Sequence, residues 1–426
     1  TEVIVVRRKD MIAIMSFLLT TEVIVVRRKD MIAKSMEPFL AGSSVIRAMF
    51  EEGKKMAKVF GEENVYDFSV GNPGLHPPKE VKEAINYINN EMDPHVVHGY
   101  MANAGYESTR QAVADNLNKR YGSDFDMNNI IMTVGAGSAL NVIMKTVFDP
   151  GDKQVVFAPY FVEYANWARN YGAETIVVPP NEANGFEPDP KALKAALDPK
   201  VKIVIINNPN NPTGAIYSKE TIQEIADVLK EAEKEYGHPI YILSDEPYRE
   251  LVYVDREVPY IPDFYDNTLI AYSWSKSLSL PGERIGYIAI PKKSDNSEEF
   301  FSAAVVANRV CGDTNAPSLM QLVVERCMDA QVDIPYYEKN AKDLYKIVTD
   351  AGFDALVPQG AFYLWIKSPV ADEKELVAAA KDERILMVPG SAFACPGYVR
   401  LSFCISNETI QRSAESFANL GKKYFG

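Results

Sequence analysis

The chain has 426 residues, 47% of them hydrophobic and 24% charged, with a formal net charge of −13 at pH 7. That length exceeds what one hydrophobic core usually supports, so two globular domains are expected, and the acidic balance argues against a nucleic-acid surface. No apolar run reaches the ~18 residues of a membrane span. Four cysteines and four histidines show no C-x-x-C, H-E-x-x-H or disulfide-dense spacing, so no metal is expected and a reduced, cytoplasmic setting is.

The chain opens on a self-repetition: Thr1 to Ala13 and Thr21 to Ala33 both read TEVIVVRRKDMIA, separated by Ile14 to Thr20. Repeat architectures need three or more diverged units, so residues 1–30 read as peripheral, a recent duplication or an artefact. Arg7-Arg8-Lys9 followed by MIAIMSFLLT imitates a signal peptide but is followed by no A-x-A-like cleavage site.

From Ser43 the pattern becomes regular. Val45, Ile46, Met49, Phe50, Met56 and Phe60 recur at helical spacing, and Val65–Val70 reads as a short strand running into Gly71-Asn72-Pro73-Gly74. Between about 100 and 290, helices alternate with apolar strands at Ile130–Val134, Gln154–Ala158, Thr175–Pro179, Lys202–Asn207, Ile240–Ser244, Leu269–Tyr272 and Ile285–Ile290. Such alternation predicts a mostly parallel sheet with helices on both faces. Helices follow at Ser297–Val310, Pro317–Ala330 and Pro335–Ala351, then short strands near Ala361–Ile366, Arg384–Val388 and Val399–Phe403, and a last helix from about Asn407. The expected architecture is α/β: a large domain over 76–309, and a smaller α/β domain built from both chain ends, 31–75 with 310–426.

Six stretches carry chemistry. In Ser273-Trp274-Ser275-Lys276, followed by Arg284 and Gly286, a lysine sits just beyond a strand's C-terminal end, where open α/β sheets build their sites. It has the parts to hold an aldehyde cofactor and its phosphate. Asn207-Asn208-Pro209-Asn210-Asn211-Pro212-Thr213-Gly214 makes a rigid turn after another strand, and Asp245 in Ser244-Asp245-Glu246-Pro247-Tyr248 ends a third. Val134-Gly135-Ala136-Gly137-Ser138-Ala139-Leu140 opens a helix through small residues. Leu140 breaks the G-x-G-x-x-G spacing, so a monophosphate suits it better than a dinucleotide. Tyr160, after Ala158-Pro159, offers a ring for stacking; Arg400, inside the apolar stretch Tyr398–Phe403, offers a fork for a carboxylate. Taken singly, each has a plain alternative: a loop lysine, a bare turn, a capping aspartate, a packed tyrosine, an internal arginine–acid pair.

Together and in this order, over about 35–420, the N-P-x-N-P-T-G, S-D-E-x-Y and S-x-S-K-x7-R-x-G motifs resemble the class I/II aminotransferases. These are fold-type-I enzymes that use pyridoxal 5′-phosphate (PLP). The resemblance implies that Lys276 is the Schiff-base lysine and proton carrier, Asp245 the pyridinium partner, and Asn211 and Tyr248 the contacts to the ring oxygen. Tyr160 would stack on the ring. Ser273, Arg284 and the N–H groups of Ala136 and Gly137 would form the phosphate cup. Tyr100 would reach the phosphate across a homodimer interface with shared active sites. Arg400 would clamp the substrate α-carboxylate near Gly71 and Asn72, and Arg309 falls within one residue of a place where some members bind a distal carboxylate. Trp274 is bulkier than usual between the serines, and Gly137 stands where some members carry a hydroxyl. The implied reaction moves an amino group from an L-amino acid, of aspartate or aromatic type, to a 2-oxo acid such as 2-oxoglutarate. The alternatives are a C–S lyase or cyclase of the same fold, or a PLP-sensing regulatory module, for which residues 1–40 are too short and apolar to supply a winged helix.

Overall fold

The structure is a computed structural model that describes residues 32–41 and 45–426; the first copy of the repeat and most of the second lie outside the described residues. Thr1–Ser44 and Val45–Gly426 are separate compact units. In the first, a 3-10 turn Lys34–Met36 leads into a helix Glu37–Ala41. The second carries all the described strands.

Those strands are β1 (Tyr66–Asp67), β2 (Ile130–Thr133), β3 (Lys153–Phe157), β4 (Glu174–Val178), β5 (Val201–Asn207), β6 (Tyr241–Asp245), β7 (Thr268–Ser273), β8 (Gly286–Ala289), β9 (Tyr363–Lys367), β10 (Ile385–Leu386), β11 (Val388–Pro389) and β12 (Tyr398–Ser402). A seven-stranded sheet runs in the order β2-β8-β7-β6-β5-β3-β4. Its pairs from β4 through β7 are parallel, and β8 alone runs antiparallel to both neighbours. Successive residues of β5 pack on opposite faces: Ile203 and Ile205 join one core cluster, Val204 and Ile206 another. Both faces are covered, which is why this strand reads as an unbroken apolar run. The helix Gly135–Val147 supplies Val142 and Ile143 to the first cluster, and the helix Lys219–Tyr236 supplies Ile222, Ile225 and Leu229 to the second.

The carboxyl ends of β5 and β6 finish level with one another, beside that of β7. Asn207 of β5 faces Asp245 of β6, which in turn faces Ala271 of β7. Polar residues that end two buried strands thus meet at one rim, and β7 runs two residues further to Ser273.

The remaining strands form a second layer. β9, β11 and β12 make an antiparallel sheet, and β1 pairs with β10 in parallel. The strand expected at Val65–Val70 shortens to two residues because Asp67 Oδ1 accepts from Ser69 N (2.9 Å) and Ser69 Oγ (2.6 Å), a local side-chain turn that competes with the ladder. Phe68 still packs with Leu344, Ile385, Phe417 and Leu420, so an early stretch and the C-terminal region share one core. Among the described residues, no helix is long and apolar enough to cross a membrane.

Candidate active site

The level strand ends open into a cavity of about 400 Å³. Its charged lining consists of Asp245, Lys276, Arg284 and Arg400, three cations to one carboxylate, a wall suited to anions.

Lys276 lies in the short helix Trp274–Ser277, which Ser273 opens by accepting the Ser275 N–H on its Oγ at 3.1 Å. Lys276 Nζ donates to the Gly71 carbonyl at 2.6 Å. Loss of water around the ammonium pushes its pKa down to about 8; the Cys404 thiol opposes this, while Arg400 and Arg284 add to it.

Asp245 is buried at the end of β6. Its Oδ2 accepts from the Tyr164 hydroxyl (2.5 Å) and, more distantly, from Asn207 Nδ2 (3.4 Å), while Oδ1 has no partner among the described residues. Burial pushes the carboxyl up to about 7, against the Tyr164 bond and with help from Glu246. A buried oxygen without a donor is costly, and this one borders an open cavity.

The asparagine-proline turn is held by its own side chains. Asn207 Oδ1 accepts from Asn211 N at 2.7 Å, and Asn210 Oδ1 from Thr213 Oγ1 at 2.8 Å. So fixed, Asn211 Oδ1 accepts from Arg400 Nη1 at 3.0 Å, and Arg400 Nη2 donates to the Ser69 carbonyl at 2.8 Å. Arg400 is buried, its Nε lacks a partner, and no carboxylate pairs with it among the described residues. The reading of an internal arginine–acid pair therefore falls away.

At the helix Gly135–Val147 no side chain caps the first N–H groups, leaving them for an anion. Gly135 is required here. Its φ is +77°, and an added Cβ would lie 2.9 Å from Arg284 Nη2. Arg284 therefore packs directly against the helix start, and Ala136 and Gly137 join it in the cavity wall.

Residues 63–417 match the family described as "Aminotransferase class I and II". The chain belongs to that family. An amino transferase from Eubacterium rectale superposes with a TM-score of 0.90 at 40% identity, over 93% of this chain and 99% of that one. The aspartate aminotransferase of Pyrococcus horikoshii is 31% identical over 375 residues, covering 86% of this chain and 92% of that protein. Aromatic-amino-acid aminotransferase 2 of Thermococcus litoralis is 28% identical over 396 residues, covering 90% and 97%. Amino-group transfer is accordingly the activity of this chain, and the lyase and cyclase alternatives are not favoured.

In this aminotransferase the cavity gathers Gly71, Asn72, Ala136, Gly137, Asn211, Asp245, Tyr248, Ser273, Lys276, Arg284 and Arg400 from six separate stretches of sequence. Three expected site residues lie elsewhere. Tyr160 is buried in the core cluster behind the cavity, its ring 6.4 Å from that of Tyr164; the wall at this turn is made by Phe161, Tyr164 and Trp167. The ring offered to a ligand there is thus Phe161, edge-on to both Tyr164 and Trp167. Packing of Tyr160 in that cluster leaves its neighbour Phe161 at the wall. Tyr100 is 94% exposed and Arg309 is exposed at the end of the helix Ser297–Val310, neither in the cavity of its own chain.

Sequence reading missed Tyr164, Trp167 and Tyr363. The aromatic spacing Phe161, Tyr164, Trp167 is an i, i+3 pattern that could have marked one helix face; nothing local marks Tyr363. Trp274 turns away from the cavity into a cluster with Tyr272 and Tyr287. At Gly137 an added Cβ would meet only the Trp167 ring, at 3.6 Å, so a side chain would fit where the chain has none.

The donor set fits PLP. The unpartnered Asp245 Oδ1 suits a protonated ring nitrogen, the uncapped helix start beside Arg284 suits a phosphate, and Lys276 is an amine with a lowered pKa.

Proposed function

We propose that this aminotransferase uses PLP to move the amino group of an L-amino acid, of aspartate or aromatic type, to a 2-oxo acid such as 2-oxoglutarate. The observation that carries the reading is one cavity bordered by a buried carboxylate oxygen without a donor, a lysine with a lowered pKa and a buried arginine without an acid. When bound, PLP supplies an aldehyde that takes up amines and a ring that withdraws electrons from Cα.

The chain's own residues do the rest. Asp245 Oδ1 accepts the ring N–H and, as a carboxylate, keeps that nitrogen charged. Asn211 and Tyr248 hold the ring oxygen, and Phe161 flanks the ring face. Ser273, Arg284 and the Ala136 and Gly137 N–H groups hold the phosphate. The Arg400 fork takes the substrate α-carboxylate beside Gly71 and Asn72. Lys276 Nζ takes the proton from Cα, and its lowered pKa makes the neutral amine available near neutral pH. The test is to add amino acids one at a time to the PLP-loaded protein and follow cofactor absorbance; donors convert it to the pyridoxamine form, and failure of every amino acid to do so would overturn the reading.

A pH dependence follows for the cofactor-free protein. At pH 8 an ordinary lysine amine, with its pKa of 10.5, is almost wholly protonated, whereas Lys276, pushed down to about 8, is about half neutral. The rate of PLP attachment is expected to rise with pH and level off with an apparent midpoint near 8. A rate still rising tenfold per pH unit between 9 and 10 would mean the amine is not perturbed.

Relatives are named for both aspartate and aromatic substrates. The cavity's own cations are all assigned above, so a distal carboxylate needs a further cation, for which Arg309 of a second copy is proposed. Its removal is expected to cost ~2–5 kcal/mol of transition-state binding for aspartate, roughly 30-fold to several-thousand-fold in kcat/KM, and little for phenylalanine. An equal small loss on both substrates would return Arg309 to the surface and favour aromatic or broad specificity.

The exposure of Tyr100 supports a homodimer in which it completes the neighbouring site. Light scattering at assay concentration is expected to give twice the chain mass, and a fully active monomer would contradict it. Residues 76–309 are proposed as the PLP-binding domain and 310–426 with 31–75 as the smaller one. Four unpaired thiols fit a reducing, cytoplasmic compartment.

A further inference from the structure

Tyr363 was singled out by no motif, yet it touches three parts of the site. It lies on β9, where the antiparallel register sets Trp365 opposite Arg400 and Tyr363 opposite Ser402 of β12. Two residues from Trp365 along β9, Tyr363 shares its face of the sheet, and its ring lies under the Arg400 guanidinium, 4.4 Å from centroid to Cζ. Its hydroxyl is 2.8 Å from that of Tyr248, the one hydrogen-bond partner of the Tyr248 side chain among the described residues. The same hydroxyl crowds Gly71, where an added Cβ would come within 2.4 Å of it. Gly71 is the residue whose carbonyl holds Lys276.

We propose that Tyr363 is a positioning residue for amino-group transfer, holding the Tyr248 hydroxyl through its own hydroxyl and the Arg400 guanidinium through its ring face. The proposal rests on the PLP reading above. Two hydroxyls in contact share one proton between their oxygens. For Tyr248 to donate to a ligand oxygen, it must accept from Tyr363, so Tyr363 is the donor behind the donor, and such chains strengthen one another. Burial pushes ionisation of Tyr248 well above its ordinary value, with neighbouring Tyr363 adding to this, so Tyr248 stays a proton donor. The ring contributes separately. Arg400 has no acid beside it among the described residues, and a desolvated guanidinium over a tyrosine face gains from the ring's electrons; that contact leaves the outer edge of the fork for a substrate carboxylate.

The two contacts predict different defects, which separates positioning from a general packing role. Tyr363→Phe keeps the ring and removes the hydroxyl. In the PLP-loaded protein the pH midpoint of the cofactor's absorbance change should move up by roughly half a unit to one unit, because a weakened Tyr248 donor stabilises a charged ring oxygen less. Its kcat should fall several-fold, with KM for the amino acid within about twofold of wild type. Tyr363→Leu removes the ring as well, and should add a rise in KM of about tenfold. Wild-type protein is measured first. If it shows no PLP absorbance at all, the PLP reading fails and the Tyr363 proposal with it. If wild type binds PLP and Tyr363→Phe leaves the midpoint unmoved, or raises KM as much as Tyr363→Leu does, only the role of Tyr363 is overturned. Should Tyr363→Leu not fold, the midpoint of Tyr363→Phe decides alone.

Discussion

Lys276→Ala is expected to lower the rate of amino-group transfer by about 10³-fold or more, because in the proposed mechanism one substitution removes both the amine that would meet the cofactor aldehyde and the base at Cα. Removal of a positioned general base alone costs about 10²–10⁴-fold. The short helix that carries the lysine is capped at its start by Ser273 and held by packing of Trp274 against Tyr272 and Tyr287, contacts that alanine leaves in place, so the loss should be chemical and not structural. Two measurements check this. Steady-state rates give the size of the loss, and borohydride treatment, which fixes PLP to wild-type protein, should leave the variant unlabelled. A small primary amine added to the assay should restore part of the rate. Full activity in the variant without added amine would remove Lys276 from the mechanism.

Asp245→Asn is expected to lower kcat by about 10²–10³-fold, the usual range for removing one preorganised electrostatic contact to a reacting group. An amide in place of the carboxylate can still accept from Tyr164, but it carries no charge to keep a ring nitrogen protonated. Wild-type rates in this variant would refute the role. A second consequence needs no turnover. In the cofactor-free protein Asp245 titrates near 7 against an ordinary 3.8. Between those values the unfolded chain has released a proton that the folded chain retains. Stability therefore falls as pH rises through this window, by at most ~4 kcal/mol for a shift of about three units at ~1.4 kcal/mol each. The asparagine variant escapes that cost. Without cofactor it should equal or exceed wild type in urea denaturation at pH 8, with the advantage disappearing near pH 4. The same difference at both pH values would mean that the carboxylate is not the uncompensated group described above.

Much of the architecture was legible because it is locally encoded. The strands of the seven-stranded sheet fall within about one residue of the apolar runs that predicted them, as with Ile130–Thr133 for Ile130–Val134 and Thr268–Ser273 for Leu269–Tyr272. Both faces of the central strands are buried, so nearly every residue there must be apolar, whereas the edge strand β4 is largely open to solvent. Where burial is one-sided or a side chain competes with the backbone, the reading slipped. Val65–Val70 yields only Tyr66–Asp67 as strand, and the helix expected over Pro317–Ala330 ends at Arg326.

The sequence by itself determined which backbones would turn and where polar side chains would stand at strand ends: Lys276 after β7, Asp245 closing β6, the self-bonded turn at Asn207–Thr213, and Gly135, whose left-handed φ opens the helix beside Arg284. Each depends on residues a few positions apart, or on an apolar run beside it. Only the tertiary structure decided which side chains meet. Lys276 finds Gly71 across 205 positions, Arg400 finds Asn211 across 189 and Ser69 across 331, and Tyr248 finds Tyr363 across 115. It also decided that Phe161 and not Tyr160 faces the cavity. Local sequence sets dihedral angles and hydrogen bonds within a turn, whereas the choice between two adjacent rings, or of a partner hundreds of residues away, follows from which packing leaves the fewest voids and the fewest unpaired buried groups.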